Sequence, residues 1–184
     1  MTRGTVTLYI AASLDGFIAT EDGGVEWLEE YASDDESEDD GSFEAFFAGV
    51  DCLVMGSRTY EQILSFDEWP YGERPTFVVT SRDLPLATDR VELVAGDLRE
   101  SVDGLEERYD RIWLVGGAAL AQSFLRERLV DEIRLTVVPV LLGGGIRLFG
   151  DDGTERALET VECTSFESGL VELRYDASGC TPSI

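Results

Sequence analysis

Short apolar runs rich in β-branched residues recur along this chain and alternate with helix-like stretches, and that alternation limits the folds open to it. Arg111 to Val115 (RIWLV) is almost continuously apolar, as a strand covered on both faces must be. Glu132 to Val138 (EIRLTVV) reads the same way, and Thr5 to Ala12 (TVTLYIAA) reads as a first strand. Cys52 to Met55, Thr76 to Thr80 and Val91 to Val94 read as shorter strands. Between them lie helix patterns at Ser42 to Ala48, Thr59 to Leu64, Leu98 to Arg108 and Ala118 to Arg128. The last groups Leu120, Ala121, Phe124 and Leu125 on one face and leaves Arg126, Glu127 and Arg128 outside it. Thr160 to Phe166 and Leu170 to Tyr175 flank Ser168-Gly169, a hairpin signal. The expectation is an α/β sheet covered by helices and finished by an antiparallel hairpin. A chain of 184 residues is expected to form one domain, here over residues 1–176, with 177–184 as a frayed tail.

Composition narrows the chemistry. The chain carries 38 Asp and Glu against 14 basic residues, a formal charge of −24. Every basic residue is Arg; there is no Lys and no His. Ser-His-Asp and Cys-His catalysis are thereby excluded, as are His-ligated zinc, a Walker A lysine and a Schiff base. A proton, if one moves, must come from a carboxylate, Tyr, Cys or water. So anionic a chain lacks the cationic footprint for general nucleic-acid binding, and anionic lipid should repel it. Its acidity reads either as a module for basic partners or as halophilic adaptation to high internal salt. The even spread of carboxylates and the use of Arg alone favour salt adaptation.

Three cysteines without a CxxC pair indicate neither a disulfide framework nor a cysteine metal site. No apolar run reaches the ~18 residues of a membrane span and no signal peptide is visible, so a cytoplasmic protein is expected. The acidic run Asp34 to Asp40 fails the calcium-loop template: with Gly41 as the loop glycine, Phe47 falls where the bidentate Glu belongs. It reads as a solvated loop, and no metal site is expected.

Three loops follow predicted strands and end in small or hydroxyl residues: Gly56-Ser57-Arg58-Thr59, Thr80-Ser81-Arg82 and Gly116-Gly117-Ala118. Ligands of open α/β sheets bind at the carboxyl ends of strands, and helix N-termini offer free N–H groups to anions. With the two arginines, these loops describe a cradle for a phosphorylated, dinucleotide-type ligand. The GxGxxG fingerprint is absent; the nearest approach, Gly143-Gly144-Gly145-Ile146-Arg147-Leu148, ends in Leu and has no helix signal after it.

The segments LYIAASLDGFIA, MGSRTYE, VVTSR and WLVGGAALAQSFL together resemble the dihydrofolate reductase superfamily. DEIRLTVVPVLLGGGIRLF is similar to its riboflavin-biosynthesis branch, the reductase domain of the bifunctional deaminase–reductase. The resemblance implies a three-layer fold: a mixed, mostly parallel sheet of about eight strands, with helices on both faces and NADPH across its carboxyl edge. Ala11 and Ala12 would then meet the nicotinamide amide. Gly56, Ser57, Arg58 and Thr59 would meet the pyrophosphate and 2′-phosphate region, and Thr80, Ser81 and Arg82 the adenosine ribose. Gly116 and Gly117, with Ala118 after them, would let the chain pass close to the pyrophosphate, at a peptide bond that is cis in typical members. The relatives are commonly homodimers. The carboxylate of the superfamily's first helix has two candidate counterparts, Asp15 and Glu26.

Two functions follow from this reading. One is an NADPH-dependent reductase, with NADH as the alternative cofactor, that passes hydride to a C=N or C=O of a small heterocyclic or sugar-derived substrate. The other is a non-catalytic dimeric nucleotide-binding module that keeps the fold. Whether Arg58 or Arg82 reaches a 2′-phosphate decides between the two cofactors.

Overall fold

The computed structural model describes residues 3–31, 42–66, 68–151 and 155–179. The acidic run Asp34 to Asp40 lies outside the described residues. The apolar runs become strands: β1 (Thr5–Ser13), β3 (Cys52–Gly56), β4 (Thr76–Val79), β5 (Val91–Val94), β6 (Arg111–Gly116) and β7 (Glu132–Val138). The C-terminal hairpin is β9 (Glu159–Ser165) with β10 (Val171–Asp176). All eight join one sheet in the order β5-β4-β3-β6-β1-β7-β10-β9. Pairing is parallel from β5 through β7 and antiparallel at β7–β10 and β10–β9. This is the mixed, mostly parallel sheet with a terminal hairpin that the resemblance implied.

Strand β1 sits inside the sheet between β6 and β7, so its two faces feed two cores. Val6 and Leu8, level with Ile112 and Leu114, pack with Val102 and Leu105 of α3 (Leu98–Glu106) and Ala121 and Phe124 of α4 (Ala118–Arg126). On the other face Tyr9 and Trp113 pack with Tyr60 and Ile63 of α2 (Ser57–Leu64). Phe43, Phe46 and Phe47 of α1 (Ser42–Ala48) set their rings 5.6 to 5.9 Å from Trp113. Each fully buried Leu or Phe stabilises the fold by about 1.5–3 kcal/mol through burial alone.

The edges of the elements show local causes. Helix α4 stops at Arg126, short of the expected Arg128, because Arg128 adopts a left-handed φ of 58°. Ala177, expected to begin the tail, is buried: its N–H donates to the Asp131 carbonyl at 2.7 Å and Arg156 donates to its own carbonyl. Two short strands had no signal recognised in the sequence. β2 (Phe17–Ala19) and β8 (Ile146–Arg147) pair antiparallel as a separate two-stranded sheet. Among the described residues no helix is long and apolar enough to cross a membrane.

Candidate functional site

Strands β3 and β6 are neighbours, so the helices that follow them open side by side at the carboxyl edge of the sheet. Both helices start on glycine. Gly56 precedes α2 and Gly117 precedes α4, and neither N-terminus has a side-chain cap. Helix α3, which starts elsewhere, is capped normally: Asp97 accepts from the Glu100 N–H at 3.0 Å. The leading N–H groups of α2 and α4 are therefore left for something outside the helices. Thr59 ties the two starts together, accepting a hydrogen bond from the Gly117 N–H at 2.8 Å.

The approach to Gly117 is set by a register shift. Val54 pairs with Leu114, but Met55 pairs with Gly116, so β6 carries one extra residue just before the glycine pair. Gly116 then takes a φ of 124°, open to glycine and strained for other residues. No described peptide bond is cis, so the cis Gly116–Gly117 bond implied by the resemblance is corrected: trans is favoured by about 3 kcal/mol, and the positive φ makes the turn.

In front of these helices lies a cleft of about 1280 Å³. Gly56, Ser57, Arg58, Thr59, Gly117 and Ala118 line it, and so does Glu26. Its far walls are Ile18 and Ala19 of β2, Ile146 and Arg147 of β8, and the 21–26 loop. Arg58 is exposed and makes no ion pair among the described residues. Arg147 lies over the Phe17 ring, 4.8 Å from its centroid.

Other expected site residues fall outside the lining. Arg82 is turned onto Glu61 of α2 at 2.5 Å, while Thr80 accepts from the Arg82 N–H at 3.0 Å. Thr80, Ser81 and Arg82 thus form a turn beside the cleft, whose wall there is Val79. Ala11 and Ala12 are inside β1, level with Thr136 and Val137, with Ala12 buried. Asp15 is a clasp between loops. Its carboxylate accepts from Ser13 Oγ at 2.6 Å, Leu142 N at 3.1 Å and Gly143 N at 2.8 Å. The Ser13 hydrogen bond leads the causes that hold its pKa below the usual carboxylate value.

Glu26 opens a single 3-10 turn, Glu26–Leu28, and its carboxylate lies over Gly24, where a Cβ would be 2.4 Å from Oε2. The neighbouring Trp27 indole N–H is buried and has no hydrogen-bond partner among the described residues. Sequence reasoning missed Arg147, Glu21 and Gln62, although Gln62 holds the 20–24 loop through the Gly23 carbonyl at 3.3 Å. The signal that could have found Arg147 was the glycine run before it. A Cβ on Gly145 would sit 2.2 Å from the Ala19 carbonyl oxygen, so that run marks a close backbone approach.

Comparison with known proteins agrees with this geometry. The profile of the RibD C-terminal domain matches residues 4–172. The uncharacterized protein YwjB of Bacillus subtilis is 36% identical, over 95% of this chain and 98% of its own. The crystal structure of a putative riboflavin biosynthesis protein from a Shewanella species superimposes with a TM-score of 0.84 at 34% identity, covering 94% of this chain and 98% of that one. Dihydrofolate reductase from Enterococcus faecalis, solved with NADP(H), shares the fold at a TM-score of 0.69 and 18% identity, covering 96% of this chain and 98% of its own. In sequence the chain belongs to the RibD C-terminal domain family, and its fold is that of dihydrofolate reductase.

Proposed function

We propose that the protein is an NADPH-dependent reductase of a small heterocyclic or sugar-derived substrate. One observation carries this reading: two helix N-termini without side-chain caps converge on one cleft beside an arginine that no carboxylate among the described residues pairs with. A dinucleotide fits that arrangement. The free N–H groups of α2 and α4 would take its pyrophosphate, and Arg58 is the charged fork available for a further phosphate. Glycine at 56 and 117 keeps the backbone open to it, since a Cβ on Gly117 would lie 3.0 Å from Thr59 Oγ1.

The cofactor, when bound, supplies a hydride to a C=N or C=O carbon. The chain's own part is to orient and to handle the proton. Ile18, Ala19 and Ile146 wall the cleft with apolar surface that limits water there. With no His or Lys, the proton comes from Glu26 or from water that it holds. Asp15 is poorly suited, because three hydrogen bonds favour its ionised form. The proposal includes the cytoplasmic setting that the sequence led us to expect and the homodimer implied by the resemblance.

Fluorescence titration with NADPH, and in parallel with NADH, tests the reading. The native chain is expected to saturate with NADPH. Arg58→Ala is expected to weaken NADPH by roughly tenfold or more, the scale of one charge-assisted contact. If Arg58 meets the 2′-phosphate, NADH is affected less. Absence of saturable binding by either nucleotide would sink the proposal.

A further inference from the structure

We infer that Glu61 sets how strongly the cleft distinguishes a 2′-phosphorylated adenosine ribose from a free one, by holding Arg82 away from that phosphate; this rests on the reductase reading above. Strands β3 and β4 are parallel neighbours, with Gly56 level with Val79. The first turns of α2 and the 80–82 turn therefore leave the carboxyl edge of the sheet side by side. The backbone of that turn is pinned. Thr80 donates its N–H to the Val94 carbonyl at 2.9 Å, and its hydroxyl accepts from the Arg82 N–H at 3.0 Å. The Arg82 side chain remains free to swing, and Glu61 holds it, Oε2 to Nη2 at 2.5 Å.

The pair brings opposite recognition groups to one place. In dinucleotide sites a carboxylate suits the free 2′-hydroxyl of the ribose, whereas an arginine suits a 2′-phosphate. Here the carboxylate lines the cleft and the arginine does not. Arg58, three residues before Glu61 and on the same face of α2, lines it as well. Arg147, also in the lining, stands on the far wall with β8. Glu61 thus acts against a 2′-phosphate at this end in two ways. Its charge repels the phosphate, and it occupies the neighbouring guanidinium that the phosphate would attract. Both side chains are about half exposed, 43% for Glu61 and 51% for Arg82. An ion pair so exposed contributes little to stability, and a ligand reaches both of its ends.

Adenosine 2′,5′-bisphosphate and adenosine 5′-monophosphate differ only in the 2′-phosphate and serve as probes. They are titrated calorimetrically into the full chain at about pH 7 in about 0.5 M KCl, and NADPH and NADH are titrated beside them by fluorescence. In Glu61→Gln the bisphosphate and NADPH should bind about fivefold or more tighter than in the native chain. The monophosphate and NADH should change by about twofold or less. Adding Arg82→Gln should cut the gain to about twofold, the part due to lost repulsion alone. An unchanged or weaker preference for the 2′-phosphate in Glu61→Gln overturns the inference, and so does a gain that survives Arg82→Gln in full. A parallel change in all four ligands also overturns it, since a merely structural role would produce that. If the dinucleotides do not bind but the bisphosphate preference responds as stated, the role of Glu61 stands and the reductase reading falls. If they bind and Glu61→Gln alters no ratio, the reading stands and the inference falls. Failure of all four ligands to bind overturns both.

Discussion

Asp15 joins two loops that lie 127 residues apart in the chain. Ser13 helps from the same side: its hydroxyl donates to Asp15 and accepts from the Phe17 N–H at 2.9 Å. Through the 139–145 loop the clasp fixes β8, and with it Arg147 at the cleft. Asp15→Ala should therefore speed amide exchange at Leu142 and Gly143 by roughly tenfold, measured by hydrogen–deuterium exchange. Because the folded pKa of Asp15 is depressed, its contribution is complete above the unfolded carboxylate value near ~4 and is lost as pH falls through the lower folded value. Protection of those amides should thus survive mild acid and fail only below that window. A second carboxylate works inside the protein. Buried Glu172 accepts from Tyr9 at 2.5 Å and from Arg134 at 2.5 Å. Arg134→Leu would remove the ion-pair partner of that buried charge, leaving the Tyr9 hydrogen bond, and should cost about 3 kcal/mol in urea denaturation. A loss below about 1 kcal/mol would show that the pair is dispensable.

At the scale of elements, the absence of caps on α2 and α4 is a choice with a stability cost. Gly56 has φ −82° and ψ 162°, the extended geometry that an Asp N-cap also adopts, and a Cβ there meets Leu120 at an ordinary 3.7 Å. Gly56→Asp should therefore stabilise the fold by roughly 0.3 kcal/mol, seen as a slightly raised melting temperature. The same change places an anion where the cofactor phosphate belongs and should abolish NADPH binding. Unchanged affinity would mean that α2 does not face the phosphate. The strands and helices themselves were legible because period and β-branching are local signals. Arg111 to Val115 announced a central strand, and Leu120 to Leu125 an amphipathic helix. β2 and β8 were not legible, since three-residue and two-residue strands have too little sequence to show a period.

Across the whole molecule, a chain of 38 Asp and Glu sets two arginines, Arg58 and Arg147, in the described lining of its cleft. Long-range repulsion should slow and weaken capture of an anionic cofactor at low ionic strength, and added salt should relieve it. We expect NADPH affinity to hold or improve, and the melting temperature to rise, as KCl increases toward molar levels. A steep, monotonic loss of affinity with salt, or unfolding at high rather than low salt, would contradict the salt-adapted reading of the composition.

The sequence by itself determined the alternation of strands and helices, the glycine-led strand ends and the scarcity of cations, because each is a property of neighbouring residues or of a simple count. It could not determine which of two similar strand-end arginines keeps its charge free. Arg58 and Arg82 follow β3 and β4 in the same manner, yet only the packing of α2 brings Glu61 onto Arg82. Nor could it distinguish Asp15 as a clasp from Asp15 as a catalytic acid, since its partners at Leu142 and Gly143 arrive only when the loops meet. An ionisable group takes its role from the charges and donors within a few ångströms of it, and those neighbours are assembled by tertiary structure.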